Sequence, residues 1–555
     1  MWSGWTGSLR TRSGPATATE VSVANDRKAR SAKLALATFW VYLTVAFFVL
    51  VRLGRHYWFY QDDWGLLVRH LWSVDGLFRP QNGHWSTLPL LAYHFLFWAF
   101  GLNYRPYQIC TILMHLALTA LLRLVMVRAG VSPWFATITA SVFVLFGPGV
   151  ENILLGVQIS MVGSLLFGIT HLLCADHDGP FARRDALGLV FGALAIMASG
   201  VGAIMVIIVG IAVLIRRGWR VTALHTAPLA VLYVTWYEAE RTFLRRPFPS
   251  NPLKFALQWN ITGERGVFVA IGNYRVVAVA MAVLLVVGLV LAWRPLELSE
   301  LRRRAAAPAA LLLGTPTLFA VVSTQRYWVG NAAASSSRYV SMATAFTLPA
   351  LAVAAQAVAQ RWRRFTPVVG VLLLSAVPAN MGKFGEGTSR RFFDNEKQIM
   401  LGAAYSPLAD RVSPDLQPHT ELFGAPLVTI GFLIAARNAG RLPSQPSLTL
   451  LKRDEIVVRL GVEQLDAAPA NHVNCRRYTN TLVLHPTKGA VYVIKQPVAF
   501  TYRPRGGIVA DGAVVFDPSR GKSLVIQLPG LELHVAHAPA GFLRSSVVRP
   551  FTFCE

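Results

Sequence analysis

From residue 34 onward the chain is a succession of apolar runs broken by short polar segments. The runs are residues 34–53, 107–127, 134–146, 159–175, 186–199, 203–215, 221–237, 276–293, 306–322, 340–358 and 366–379. A helix needs roughly 17–25 mostly apolar residues to cross hydrocarbon, and snorkelling flanks accommodate shorter runs. The pattern predicts a polytopic α-helical membrane protein with about eleven spans. Residues 85–100 are read differently. They carry His94, and counting them as a span would put Arg123 and Arg128 outside and Glu151 inside. As a helix lying along the outer surface they leave the arginine clusters together on one side.

With the N-terminus inside, Arg128, Arg183 with Arg184, Arg216 with Arg217 and Arg220, Arg302 to Arg304, and Arg361 with Arg363 and Arg364 all fall in cytoplasmic loops. The outer segments are 54–106, 147–158, 238–272 and 323–339. Residues 1–33 read as a cytoplasmic basic tail, expected to be disordered. The first run lacks a small-residue cleavage site and is followed by Arg55, His56 and aromatics, so it reads as a retained signal-anchor.

Beyond residue 380 the periodicity changes. Residues 482–484, 491–494, 514–516, 524–526 and 531–535 are short strand-like runs, separated by Lys488-Gly489, Asp511-Gly512 and Ser519-Arg520-Gly521. Residues 381–555 are expected to form an extracytoplasmic domain, mixed at first and then β-rich. Two of the four cysteines, Cys475 and Cys554, fall in it, and an even pair in an oxidising compartment predicts a disulfide. Cys110 and Cys174 lie in predicted spans, where a thiol behaves as a small apolar group.

Composition supports the membrane class. The chain of 555 residues is 54% hydrophobic and 15% charged, with a mean hydropathy of +0.45. The net charge of +25 would suggest a polyanion partner in a soluble protein. Here much of it sits in loop clusters that topology explains, so nucleic acid is not an expected partner.

The candidate chemistry lies in the outer segments. Tyr60-Gln61-Asp62-Asp63-Trp64 follows the first run, and Asn82-Gly83-His84-Trp85 comes some twenty residues later. A carboxylate at the lipid–water boundary can act as general base toward a hydroxyl, and a neighbouring carboxylate can raise its pKa. Aspartate ahead of an apolar run is also a common helix cap. Gly147-Pro148-Gly149-Val150-Glu151-Asn152, with Gln158 following, brings a third carboxylate to the same side. Asp62, Asp63 and Glu151 can together supply oxygen ligands for Mg²⁺, Mn²⁺ or Ca²⁺, whereas no close-spaced His or Cys set argues for zinc. Arg326 and the pair Arg338-Tyr339 sit in a later outer loop, where guanidinium suits a lipid phosphate and also suits plain snorkelling. Arg245, Arg246 and Lys254 form a further basic stretch.

This layout resembles the C-class (GT-C) superfamily of membrane glycosyltransferases. Asp62-Asp63 is similar to the family's acidic motif in the first outer loop, His84 with Pro89 to its His-Pro element, and Glu151 to the acidic residue of the next outer loop. Arg338-Tyr339 resembles the later arginine that contacts carrier phosphate. His84 is followed by Trp85 rather than proline, which leaves the branch unidentified. The resemblance implies transfer of a sugar from a polyprenyl-phosphate donor to a cell-envelope glycan, lipid or protein acceptor on the outer face of the plasma membrane. It implies Asp62 or Asp63 as general base, Glu151 as a second acidic group, and Arg338, Tyr339, His84 and Arg326 at the donor phosphate. Two other classes fit a polytopic chain: a lipid or glycan transporter, and an envelope scaffold. The predicted spans contain almost no Asp or Glu, whereas a proton-coupled transporter would use them.

Overall fold

The computed structural model describes residues 18–69, 73–244, 249–387, 389–418, 428–465, 474–479, 481–502, 513–538 and 551–554. Arg245, Arg246 and the Asp511-Gly512 turn lie outside that set. Among the described residues, seven helices are long and apolar enough to cross a membrane: Asp26–His56, Tyr104–Arg128, Gly156–Ala175, Arg275–Trp293, Leu298–Val329, Ser337–Arg361 and Arg363–Lys383. The pair Pro133–Val144 and Gly147–Leu154, bent by 49°, makes eight if it forms one broken span.

By length and composition, seven or eight of the expected eleven qualify among the described residues. The Arg183–Ala198 and Val201–Arg217 helices have 16 and 17 residues, short of the ~20 that cross hydrocarbon upright. The 21-residue Trp219–Ala239 helix carries Arg220, Thr222, His225, Thr226 and Glu238 among its apolar positions. Arg183–Ala198 and Val201–Arg217 pack against Gly156–Ala175, Val201–Arg217 also packs against Leu298–Arg326, and Trp219–Ala239 reaches Gly156–Ala175 through His225 and His171.

Two further expectations change. The first helix begins at Ala18 and runs unbroken to Leu53, so residues 18–33 of the basic tail are helical. The outer segment 238–272 contains the helix Pro252–Gly272, which buries Trp259, Gly263, Val267 and Ile271. Those positions recur every four residues, the spacing of one helix face. Gly263 lets this helix close on Phe319, since a Cβ there would come within 2.4 Å of the ring.

At one end of the bundle the arginine clusters are partly neutralised. Arg217 donates to both oxygens of the buried Asp185 at 2.7 and 3.1 Å. His177 lies 3.0 Å and His225 3.1 Å from the same carboxylate, and His225 Nδ1 lies 3.0 Å from His171 Nε2. Arg216 pairs with Asp176 and Asp178. The opposite end carries Asp62, Glu151 and Arg338, and there the C-terminal region docks. Phe393, on the helix Arg390–Ala404, meets Tyr57 at 4.8 Å between ring centroids, and Phe392 meets Tyr60 at 5.5 Å.

The C-terminal region is β-rich, as its pattern predicts. Its strands are β1 (Val462–Leu465), β2 (Cys475–Tyr478), β3 (Leu482–Leu484), β4 (Val491–Ile494), β5 (Val498–Tyr502), β6 (Val514–Phe516), β7 (Ser523–Ile526), β8 (Leu533–His537) and β9 (Phe551–Cys554). They form two antiparallel sheets, β1-β7-β4-β9-β2 and β3-β8-β5-β6. The sheets face one another through contacts such as Phe500 on Phe553, 6.1 Å apart. Alternation puts Tyr492 and Ile494 of β4 inside. Cys475 and Cys554 are direct cross-strand partners joined by a disulfide, which ties the last strand to the edge strand β2. Cys110 and Cys174 are free thiols.

Candidate functional site

Asp62 and Asp63 owe their different surroundings to helix phase. After the turn Gly54–His56 the chain runs to Gln61, which takes φ 39°, a left-handed value costly for a side-chain-bearing residue. The short helix Asp62–Leu67 starts there, with the two aspartates as its first residues. Neighbours on a helix point about 100° apart, so one carboxylate turns inward and the other toward the cleft.

Asp63 is fully buried. One of its oxygens accepts the Tyr93 hydroxyl and the other accepts the Tyr60 backbone N–H at 2.7 Å. Burial raises its pKa to about 7, against the pull of those two hydrogen bonds. Asp62 is half-buried and accepts a 2.6 Å hydrogen bond from Asn82 Nδ2. Neither aspartate is the helix cap that a sequence reading also allows. Gln61 holds the cap position without a side-chain bond.

The Asn82 amide is delivered by a tight reversal. Gln81 and His84 exchange two backbone hydrogen bonds of 2.9 Å, with Asn82 at φ 51° and Gly83 at φ 82°. Asn-Gly suits such a turn because both central residues need positive φ. The loop is braced by Arg69, which donates to the Arg79 carbonyl and to Gln81 Oε1, each at 2.6 Å. Gly65 leaves room for that Gln81 side chain, whose amide would lie 2.2 Å from a Cβ. Next to His84, Trp85 stacks flat on Trp236 at 5.1 Å, and the Trp236 indole N–H donates to the Phe78 carbonyl at 2.8 Å. His84 itself lies against Gly200, where a Cβ would approach its Nδ1 to 2.8 Å.

Asp62, Asn82, His84, Gln158, Arg326 and Arg338 line one narrow cavity of about 40 Å³. They come from four separate chain segments. On the helix Ser337–Arg361, Arg338 Nε lies 3.4 Å from Glu151 Oε2. Two more bonds hold these segments together: the Glu151 N–H donates to Ser337 Oγ at 3.2 Å, and Asn152 Nδ2 to the Arg338 carbonyl at 3.0 Å. Beyond the ion pair is a second cavity of about 570 Å³, lined by Glu151, Ser335, Ser337, Asn273 and Lys383 among others. The Tyr60 phenol senses the whole group: burial raises its pKa, Glu151 and Asp62 add to that, and Arg338 opposes it.

Most of the sequence-derived candidates thus converge. Asp63 and Tyr339 are the exceptions, since neither lines either cavity: Asp63 is buried behind Asp62, and the Tyr339 ring packs edge-on against Trp259 at 6.0 Å. The oxygen cage for a divalent cation is not assembled either. Among the described residues no three His, Cys, Asp or Glu side chains are grouped as a metal requires. Asp63 is turned into the protein and Glu151 is engaged by Arg338. Sequence reasoning named Asn82 and Gln158 within their motifs without giving either a role, and it missed Tyr93. The Asn82-Gly83 dipeptide is a turn signal that could have flagged the first. Tyr93 shares the buried face of the Thr87–Phe100 helix with Pro89, Leu90 and Leu96, a spacing of three and four. Gln158 has a buried Oε1 with no partner among the described residues, but only the fold reveals that.

What this constellation can do is chemical and local: a hydrogen-bonded carboxylate faces two guanidinium groups and an imidazole across a cleft. No family model, no curated protein and no solved structure matches this chain.

Proposed function

We propose that this chain is a membrane glycosyltransferase of GT-C type, which takes a sugar from a polyprenyl-phosphate donor at the outer lipid–water boundary. One observation carries the reading: Asp62 shares its cleft with Arg326 and Arg338. A base for the acceptor hydroxyl and a cationic seat for a leaving phosphate belong that close together. Asp62 takes the proton as the acceptor oxygen attacks the anomeric carbon. The bond from that carbon to the phosphate oxygen breaks, and the phosphate departs on the carrier with its new charge held by Arg338, Arg326 and His84. A single displacement of this kind inverts the anomeric centre.

Asp63 serves this chemistry from behind, by fixing the turn that presents Asp62. Glu151 orients Arg338 and faces the larger cavity, whose volume lies in the range of ligand pockets and suits a sugar ring. The acceptor is an envelope glycan, lipid or protein, and the region after residue 380, whose helix Arg390–Ala404 meets Tyr57 and Tyr60 at this end, helps to hold it.

The transport reading has one observation on its side, the buried His171–His225–Asp185 chain inside the bundle. One assay separates the readings. Full-length protein in lipid vesicles is given radiolabelled polyprenyl-phosphate sugar and an envelope acceptor fraction. Transfer of label to acceptor, lost in Asp62→Asn, supports the enzyme. Relocation of intact donor across the bilayer supports the transporter, and neither event leaves a scaffold.

A further inference from the structure

A third cavity at the site end, of about 430 Å³, is lined by four cationic side chains and no carboxylate: Arg55, Arg105, Lys397 and Arg441. They converge from four places: the end of the first candidate span, the start of the Tyr104–Arg128 helix, the helix Arg390–Ala404, and the strap at residues 440–443. The strap is fixed by its backbone, with the Leu102 N–H donating to the Arg441 carbonyl at 2.7 Å. Gly101 makes this approach possible, because a Cβ there would sit 2.1 Å from that carbonyl oxygen. The Arg441 guanidinium lies 5.2 Å from the centre of the Phe97 ring.

Several arginines elsewhere meet carboxylates: Arg216 with Asp176 and Asp178, Arg217 with Asp185, Arg338 with Glu151, Arg437 with Asp410. Among the described residues no carboxylate lies within ion-pair distance of Arg55, Arg105, Lys397 or Arg441. Like charges crowded around one concavity repel each other, and a polyvalent anion removes that repulsion while accepting charge-assisted hydrogen bonds. Phosphate esters match guanidinium geometry best.

Position narrows the source. Arg55 and Arg105 stand at the same-side ends of two candidate spans, the level at which hydrocarbon would give way to head groups in a bilayer. Phe100 lines the cavity and, like Phe95 and Trp98 of the same helix Thr87–Phe100, is exposed. Trp58, at the rear wall, is packed against Trp64 beside the Asp63 site.

We propose that this cavity is a phosphate-binding site, distinct from the Asp62 cleft, that takes a phosphate ester of at least two negative charges at the membrane boundary. Occupancy would also tie the C-terminal region to the bundle, since Lys397 and Arg441 belong to the former and Arg55 and Arg105 to the latter. The proposal does not depend on sugar transfer, because binding alone reads it out.

The test uses the full chain in phosphatidylcholine nanodiscs. One arm measures binding of inorganic pyrophosphate by equilibrium dialysis. The other measures, by native mass spectrometry, retention of phosphatidic acid from nanodiscs containing it as a minor component. The variants are Arg55→Gln with Arg105→Gln, and Arg441→Gln, with Arg183→Gln at the far end of the bundle as control. The expected result is at least a tenfold loss of binding in the double variant, a smaller loss in Arg441→Gln and none in the control. Retention of phosphatidic acid without pyrophosphate binding assigns the site to a lipid head group, and binding of both shows that the anion suffices. Binding in neither arm above the level of the double variant, or equal losses in the control, overturns the proposal. Arg55→Lys with Arg105→Lys guards against misfolding: it retains part of the binding if charge is what matters.

Discussion

Asn82 Nδ2 donates to Asp62 Oδ1 at 2.6 Å, across a turn whose two positive-φ residues leave the amide little freedom to point elsewhere. A base needs one oxygen held and the other free, and this bond supplies the first condition. Asp62→Asn is expected to lower kcat by about 10²–10⁴-fold, the range for losing a general base. Asn82→Ala should cost less, on the order of tenfold, because it loosens the carboxylate without removing it. Steady-state kinetics with the labelled donor decides this; wild-type turnover in Asp62→Asn would remove Asp62 from the chemistry.

Asp63 makes a pH prediction whose sign follows from its raised pKa. Unfolded, the carboxyl titrates near 3.8, and folded near 7. Between those values the folded chain holds a proton that the unfolded chain has released. Its contribution to stability is therefore fully present below about pH 4 and falls as pH rises toward 7, with no further loss above it. Asp63→Asn should flatten that slope. Thermal unfolding in detergent from pH 4 to 8, compared between the two proteins, measures the difference, and parallel curves would count against a buried, pKa-shifted carboxyl.

Arg338 and Glu151 should behave as a coupled pair. Arg338→Ala is expected to lower kcat/KM by about 10²–10³-fold, the scale of losing a group aimed at developing charge. Arg338→Lys should restore only part of it, since an ammonium cannot reproduce the planar fork. Glu151→Gln should be milder on its own and nearly silent in the Arg338→Ala background, because its role runs through the guanidinium. Additive losses across the double-mutant cycle would separate the two residues.

The Cys475–Cys554 bridge closes a loop of sequence separation 79. Replacing both with serine should cost about 4 kcal/mol of stability on the chain-entropy estimate. Limited proteolysis of the purified protein reads this out as faster cleavage within the sheet domain, with transfer activity lost only if that domain holds the acceptor. Cleavage at the wild-type rate would mean that the strands hold together without the bridge.

How much of this was legible beforehand depends on how far apart the interacting residues lie. The apolar runs, the mixed and then β-rich character of the region after residue 380, with its first strand at Val462, and the pairing of two cysteines are carried by local pattern, and the structure reproduces them. Of the eleven expected spans, seven or eight are long and apolar enough among the described residues, whereas two of the others are helices of 16 and 17 residues. The Pro252–Gly272 helix was passed over as a loop, although Trp259, Gly263, Val267 and Ile271 mark one face.

By itself the sequence determined that apolar helices make most of the chain, that carboxylates and arginines punctuate it, and that a strand-rich end closes it. Those are matters of side-chain period and run length, which a linear reading contains. Only the tertiary structure decided that Asp62 faces a cleft while its neighbour is sealed behind Tyr93, that Arg338 reaches Glu151, and that four unneutralised cations surround one cavity. Each of these turns on helix phase or on contacts between distant segments, and electrostatic energy depends on separation in space, not on separation along the chain.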